Sequence, residues 1–291
     1  MLEPAVLRDR ARYERRIDGW VDNLHDDALT HTVRIVDPER ALELTAVVTP
    51  PPAYLIRAVR CRALDRDFDV AHGLDTLVGT PMTAGLTRRA AAAAGAGDSA
   101  ALVVDAVIEA ARLARQVTKL PPARAARAES GDAREYWQLD AEGWSDLPDS
   151  CFTYSAAGRR LFDTRTVVAA ATPVLYSPPP GQRKVFERRK LMRLERCGGR
   201  LVLFHSMRDN VHGFEVTYEI DAASARIITA EHTTPRLPYM GVCSEPQRRI
   251  AALVGETADA GLRRRIGEHL GGPAGCAQLY DLTADLLKLL A

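Results

Sequence analysis

The chain has 291 residues, 46% of them hydrophobic and 26% charged, with a formal net charge of +1. That balance leaves no basic footprint for nucleic acid, and no run of about eighteen apolar residues exists to span a membrane. The length admits one large domain or two smaller ones, each able to bury a core.

The opening MLEPAVLRDRARYERR is charged and lacks the apolar stretch of a secretory signal. Five cysteines without CxxC or zinc-type spacing fit reduced thiols, so a cytoplasmic protein is expected. Only four of the 39 cations are Lys, an Arg bias that reflects a GC-rich genome more than chemistry.

Alternating or β-branched segments at 15–24, 29–37, 42–49 and 54–64 predict strands, punctuated by HDD, DPER and TPPP. Val103, Ala106, Val107, Ala110 and Ala114 then share one face of a helix over 102–117. Residues 121–138 are polar and Ala-rich, without periodicity until Tyr136, and read as a linker. Segments 159–168, 200–207, 213–221 and 225–234 predict a second set of strands. An apparent insertion over 172–196 carries SPPPGQ and the basic run RKVFERRKLMRLER, which suits either a partner contact or a solvated helix or hairpin. Helical spacing returns over 245–254, 260–270 and 276–290.

The chain also resembles itself. Residues 74–109 align without gaps on 250–285, with eleven identities that include Leu77/Leu253, Gly79/Gly255, Leu86/Leu262 and Asp105/Asp281. Residues 29–64 align on 201–236 with seven, including Asp37/Asp209, Glu43/Glu215 and Ile56/Ile228. The expected architecture is α+β, a tandem duplication in which each copy is an antiparallel sheet followed by an α-helical hairpin. The copies span 1–120 and 150–291, with a linker over 121–149.

Residues suited to chemistry are not shared between the copies. His205 aligns with Val33, His212 with Arg40 and Cys276 with Ala100, while Cys243 in PYMGVCSEPQ has no counterpart. The second copy is therefore the expected holder of any site. Cys276 follows GGPAG and opens the last helix, where free N–H groups favour a thiolate; a small buried side chain at a tight turn is the other reading. Cys243 lies in a turn-rich segment with Tyr239. His205 and His212 flank a hairpin turn at Asp209-Asn210, and Asp209 or Glu215 would fix an imidazole tautomer. No metal-ligand spacing, phosphate loop or dinucleotide fingerprint is present, so no metal and no cofactor are expected. GAGDSA at 95–100 follows a helix rather than a strand and is discarded.

The stretches LPYMGVCSEPQRRIAALVG (237–255), GLRRRIGEHLGGPAGCAQLYDL (261–282) and HGFEVTYEIDAASARIITAE (212–231) resemble the bacterial DUF2889 family, a domain of unknown function. His212, Cys243, Gly275, Cys276 and Leu279 match its pattern; Ala277 and Gln278 stand where the family has Thr and His. The resemblance implies His212, Cys243 and Cys276 as site candidates and names no reaction.

Two functions remain open on the sequence. One is a small-molecule-binding protein or cofactor-independent enzyme (lyase, isomerase or hydrolase) with a polar pocket in the second copy. His212, Cys276 and Cys243 would be catalytic, with His205, Asp209, Glu215 and Tyr239 binding an unidentified small molecule. The other is a non-catalytic scaffold built on a pseudo-symmetric platform. Nucleic acid and membrane are not expected partners, and self-association is left open.

Overall fold

The computed structural model describes residues 1–65, 73–97 and 99–290; Asp98 of the stretch 95–100 lies outside them. In β1 (Arg12–Asp22), Tyr13, Arg15, Ile17, Gly19 and Val21 turn inward while Arg12, Arg16 and Asp18 face water. This two-residue period buries one face of an antiparallel sheet. β2 (Leu29–Val36), β3 (Ala41–Val48) and β4 (Ile56–Ala63) continue the meander, and a 3-10 segment (Leu74–Leu77), α1 (Leu86–Ala94) and α2 (Ala100–Leu113) follow. The middle of the chain forms α3 (Pro122–Ala125), α4 (Ala133–Gly143), α5 (Ala156–Thr164) and the short β5 (Val168–Ala169). A second meander comprises β6 (Phe186–Cys197), β7 (Arg200–Asp209), β8 (Gly213–Asp221) and β9 (Ile227–Arg236). After it come β10 (Tyr239–Met240), a 3-10 segment (Pro246–Leu253), α6 (Leu262–Leu270) and α7 (Ala277–Leu286).

The two meanders join through their first strands into one eight-stranded sheet, ordered β4-β3-β2-β1-β6-β7-β8-β9. Ile17 and Lys190 lie directly opposite each other at the seam. α2 packs on β1, β2 and β3, and α7 on β7 and β8, so both helices cover the same face. The fold is α+β with a large antiparallel sheet.

The structure corrects several expectations. The basic run 183–196 is not a solvated helix: it contains β6, which forms a hairpin with β7 and is a central strand whose inward Phe186, Arg188, Lys190, Met192 and Leu194 are all buried. Segment 159–168, expected as a strand, is mostly α5, whose N-cap Ser155 accepts the Gly158 N–H. The expected linker contains α3 and α4 and buries Tyr136, Leu139 and Trp144. The helix expected over 245–254 is a 3-10 segment. The ungapped register also slips by one at the edge strands. Gly79 N–H donates to Ile56 O and Gly255 N–H to Ile227 O, both at 2.8 Å, so Ile227 rather than Ile228 occupies the position of Ile56. The cause is a connection one residue shorter, since Val48 pairs with Ile56 but Ile220 with Ile227.

Leu77, Leu86, Leu253 and Leu262 all lie in the core. Leu262→Ala is expected to cost about 2–5 kcal/mol in urea denaturation, the range for truncating a buried Leu. A loss under about 0.5 kcal/mol, the surface range, would place that side chain outside the core.

Candidate functional site

The turn between β7 and β8 builds the first element of the site. Asp209 Oδ1 accepts the backbone N–H groups of Val211 (2.8 Å) and His212 (2.6 Å), and Asp209 N–H donates to His212 O at 2.9 Å. The same carboxylate meets the His212 ring, with Nδ1 3.1 and 3.2 Å from its two oxygens. Behind it, buried Arg188 of β6 donates through Nε at 2.8 Å, and its Nη2 lies 2.6 Å from the same carboxylate in an ion pair. Burial alone would raise the Asp209 carboxyl, but the charges of His212 and Arg188 outweigh it and hold the group well below the usual carboxylate range. When the ring is neutral, an ionised Asp209 makes Nδ1 the protonated nitrogen. Nε2 is then left with a lone pair, and it has no protein partner among the described residues. In the other half Asp37 closes the corresponding turn through Glu39 and Arg40 N–H groups, both at 2.9 Å, but the side chain that follows is Arg40.

His212 lines a cavity of about 610 Å³, within the range of small-molecule sites. Its walls come from three parts of the chain: 82–87 and 108–116, the middle segment from Asp140 to Tyr176, and 211–281. Cys243, Cys276 and Tyr239 line it as well. Gly275 delivers Cys276 to this wall, since a Cβ there would lie 1.9 Å from Leu270 O, and Cys276 is the N-cap of α7.

The thiols differ from the sequence expectation. Burial pushes Cys276 up, against the opposing pull of the Leu279 N–H and the Gln247 amide, so the helix start does not hold a thiolate. Burial also drives Cys243 far up, although Thr153 Oγ1 sits 3.0 Å from its sulfur. A third thiol, Cys151, joins them and is pushed up to about 11, first by burial and then by Cys276. Near neutral pH, iodoacetamide is therefore expected to label exposed Cys197 first, with Cys151, Cys243 and Cys276 resisting until strongly alkaline conditions. Peptide mass spectrometry showing Cys276 labelled before Cys197 would restore the thiolate reading.

His205 and Glu215, expected as binding residues, lie elsewhere. His205 is fully buried under α7 with Nδ1 2.9 Å from Leu282 O, and burial and Lys190 hold its pKa down at about 4. Glu215 points outward from β8. Asp209 acts from behind His212 rather than from the wall.

Sequence reasoning missed the other polar end of the cavity. Asp140 of α4 accepts hydroxyl hydrogens from Tyr154 at 2.6 Å, from Tyr176 at 2.7 Å and, by a short bond, from Tyr239. Protein surrounds Asp140 closely, yet part of its surface stays open to the cavity. Burial outweighs the three hydroxyls and the nearby His212, so the Asp140 carboxyl is raised above the usual carboxylate range. The aromatic cluster YWQLD in an otherwise polar stretch was the available signal, and no repeat partner marked it.

Among the described residues, no group of three or more His, Cys, Asp or Glu side chains is placed to hold a metal ion, and no helix is long and apolar enough to cross a membrane. No curated protein and no solved structure matches the chain. Its C-terminal part, residues 200–290 from β7 through α7, matches the model of the family described as protein of unknown function DUF2889.

Proposed function

We propose that the protein binds a small molecule in this cavity and moves a proton to or from it through His212. The observation that carries this reading is an imidazole that lines a cavity of about 610 Å³ while its Nδ1 is locked to a buried carboxylate. A neutral imidazole so oriented is a general base, and its conjugate acid returns the proton. Proton transfer without a cofactor is the step shared by lyases, isomerases and hydrolases. The site draws on both halves and the middle segment, so it is wider than a pocket of the second half alone. Five unpaired thiols suit a reducing compartment such as the cytoplasm.

We also infer that the halves arose by tandem duplication. The supporting observations are paired details. Val78 and Val254 end 3-10 segments, and positive-φ Gly79 and Gly255 follow. Tyr54 and Ala225 both adopt left-handed backbone before the edge strands. Arg112 reaches Asp281 while Lys288 reaches Asp105, each an exchange of aligned positions.

Mass spectrometry of small molecules released from the purified protein tests the functional reading. A stoichiometric organic ligand that His212→Gln still binds but no longer converts is the expected result, with a loss of about 10²–10⁴ in rate. An empty protein that no metabolite library stabilises thermally would leave the scaffold reading in its place.

A further inference from the structure

Resting on that reading, we propose that the ligand carries a protonated amine, seated between Asp140 and the aromatic wall of the cavity. The argument starts from partners. Asp209 faces Arg188, Asp281 and Asp285 face Arg112, and Asp146 faces Arg115. Among the described residues Asp140 has no Lys or Arg partner; three tyrosine hydroxyls hold it instead. In its ionised form Asp140 accepts from all three. A closely surrounded carboxylate without a counter-cation is costly unless a cation is supplied. The nearby His212 is already held by Asp209.

The free valences point the same way. The Asp140 carboxylate, the tyrosine oxygens around it and the Nε2 lone pair of a neutral His212 give this end of the cavity a surplus of acceptors. A ligand that fills it brings donors. Trp144, Phe214, Tyr154, Tyr176 and Tyr239 line the same space, with the Trp144 and Tyr176 rings edge to face at 5.9 Å. Aromatic faces attract an ammonium group as well. The cavity's own cations do not compete, because Arg112 and Arg115 are closed by their acids and Arg263 stands exposed on α6.

Calorimetric titration with 2-phenylethylamine, 2-phenylethanol and 3-phenylpropanoate, near neutral pH and at millimolar ligand, tests the assignment on the full chain. The expected result is amine binding at least about tenfold tighter than alcohol binding, the factor that corresponds to ~1.4 kcal/mol, with the carboxylate weakest. Asp140→Asn should erase the preference, whereas Tyr239→Phe, which keeps the carboxylate, should retain it. Should Asp140→Asn fail to fold, the wild-type ranking and Tyr239→Phe still decide. Equal binding of the three probes overturns the amine assignment and leaves the cavity reading standing. Amine preference that survives in Asp140→Asn, or no amine binding at all, also overturns it. The release of bound metabolite described above separately decides the cavity reading.

Discussion

Replacing Lys190 by Met is expected to cost about 3–5 kcal/mol, the range for breaking a buried ion pair from one side. The Lys190 side chain is 2% exposed, and its Nζ lies 2.8 Å from Glu109 and 3.7 Å from Asp285. Arg112 bonds both acids as well, and Lys288 adds a third cation at Asp285 at 2.8 Å. Burial pulls the Lys190 ammonium down, because desolvation outweighs its acids. Burial would raise Glu109, but there the charges of Lys190 and Arg112 win and hold the carboxyl at about 2. The sign of the pH effect follows. A carboxyl depressed on folding contributes stability above its unfolded value of about 4.3, and that contribution is lost as pH falls toward the folded value. The Lys190→Met penalty should therefore be largest near neutrality and shrink between about pH 4.3 and 2, where protonated Glu109 no longer needs a cation. Glu109→Gln on the same background should recover most of the loss near neutrality. Urea titrations across that pH range check both points; a neutral-pH loss under about 1 kcal/mol, the scale of a surface pair, would show that the cluster does not need Lys190.

The same lysine explains why β6 was hard to read. A period-2 strand is recognised by apolar residues on its buried face, and β6 buries Arg188 and Lys190 between Phe186 and Met192. Those two cations made a central strand look like a solvated basic run. The strands whose inner faces are purely apolar, such as β3 with Leu42, Leu44, Ala46 and Val48, were plain from alternation alone. The site divides the same way. His212, Cys243 and Cys276 stood out because their aligned positions in the first half are different or missing, and all three line the cavity. Asp140, Tyr154 and Tyr176 lie outside the two aligned blocks, and their bonds to one another span from 14 to 36 residues, beyond any local pattern. Cys276 admitted two readings on the sequence for a related reason. A helix start favours an anion, but only the packing of the middle segment reveals that the thiol is buried.

Asp209 should be the second most sensitive position, and its two simplest variants should behave differently. Asp209→Ala removes the partner of Arg188, whose side chain is 2% exposed, and both turn bonds to the Val211 and His212 N–H groups. A buried cation left unpaired costs about 3–5 kcal/mol. Asp209→Asn keeps an oxygen for the turn and loses the charge, so its stability cost should be smaller. Because Asp209 is held below the usual carboxylate range, wild-type stability should fall as pH drops below about 3.9, the unfolded value. That acid limb should weaken in both variants. The decisive readout for Asp209→Asn is the imidazole itself. With a carboxylate at Nδ1, the neutral ring carries its hydrogen there and presents a bare Nε2; an amide imposes no such choice. Nitrogen-15 shifts of His212 should show a single Nδ1–H tautomer in the wild type and a mixture in Asp209→Asn, with ligand binding kept and conversion reduced. An unchanged tautomer in Asp209→Asn would mean that something other than Asp209 orients His212, and the proton-transfer assignment would lose its geometric basis.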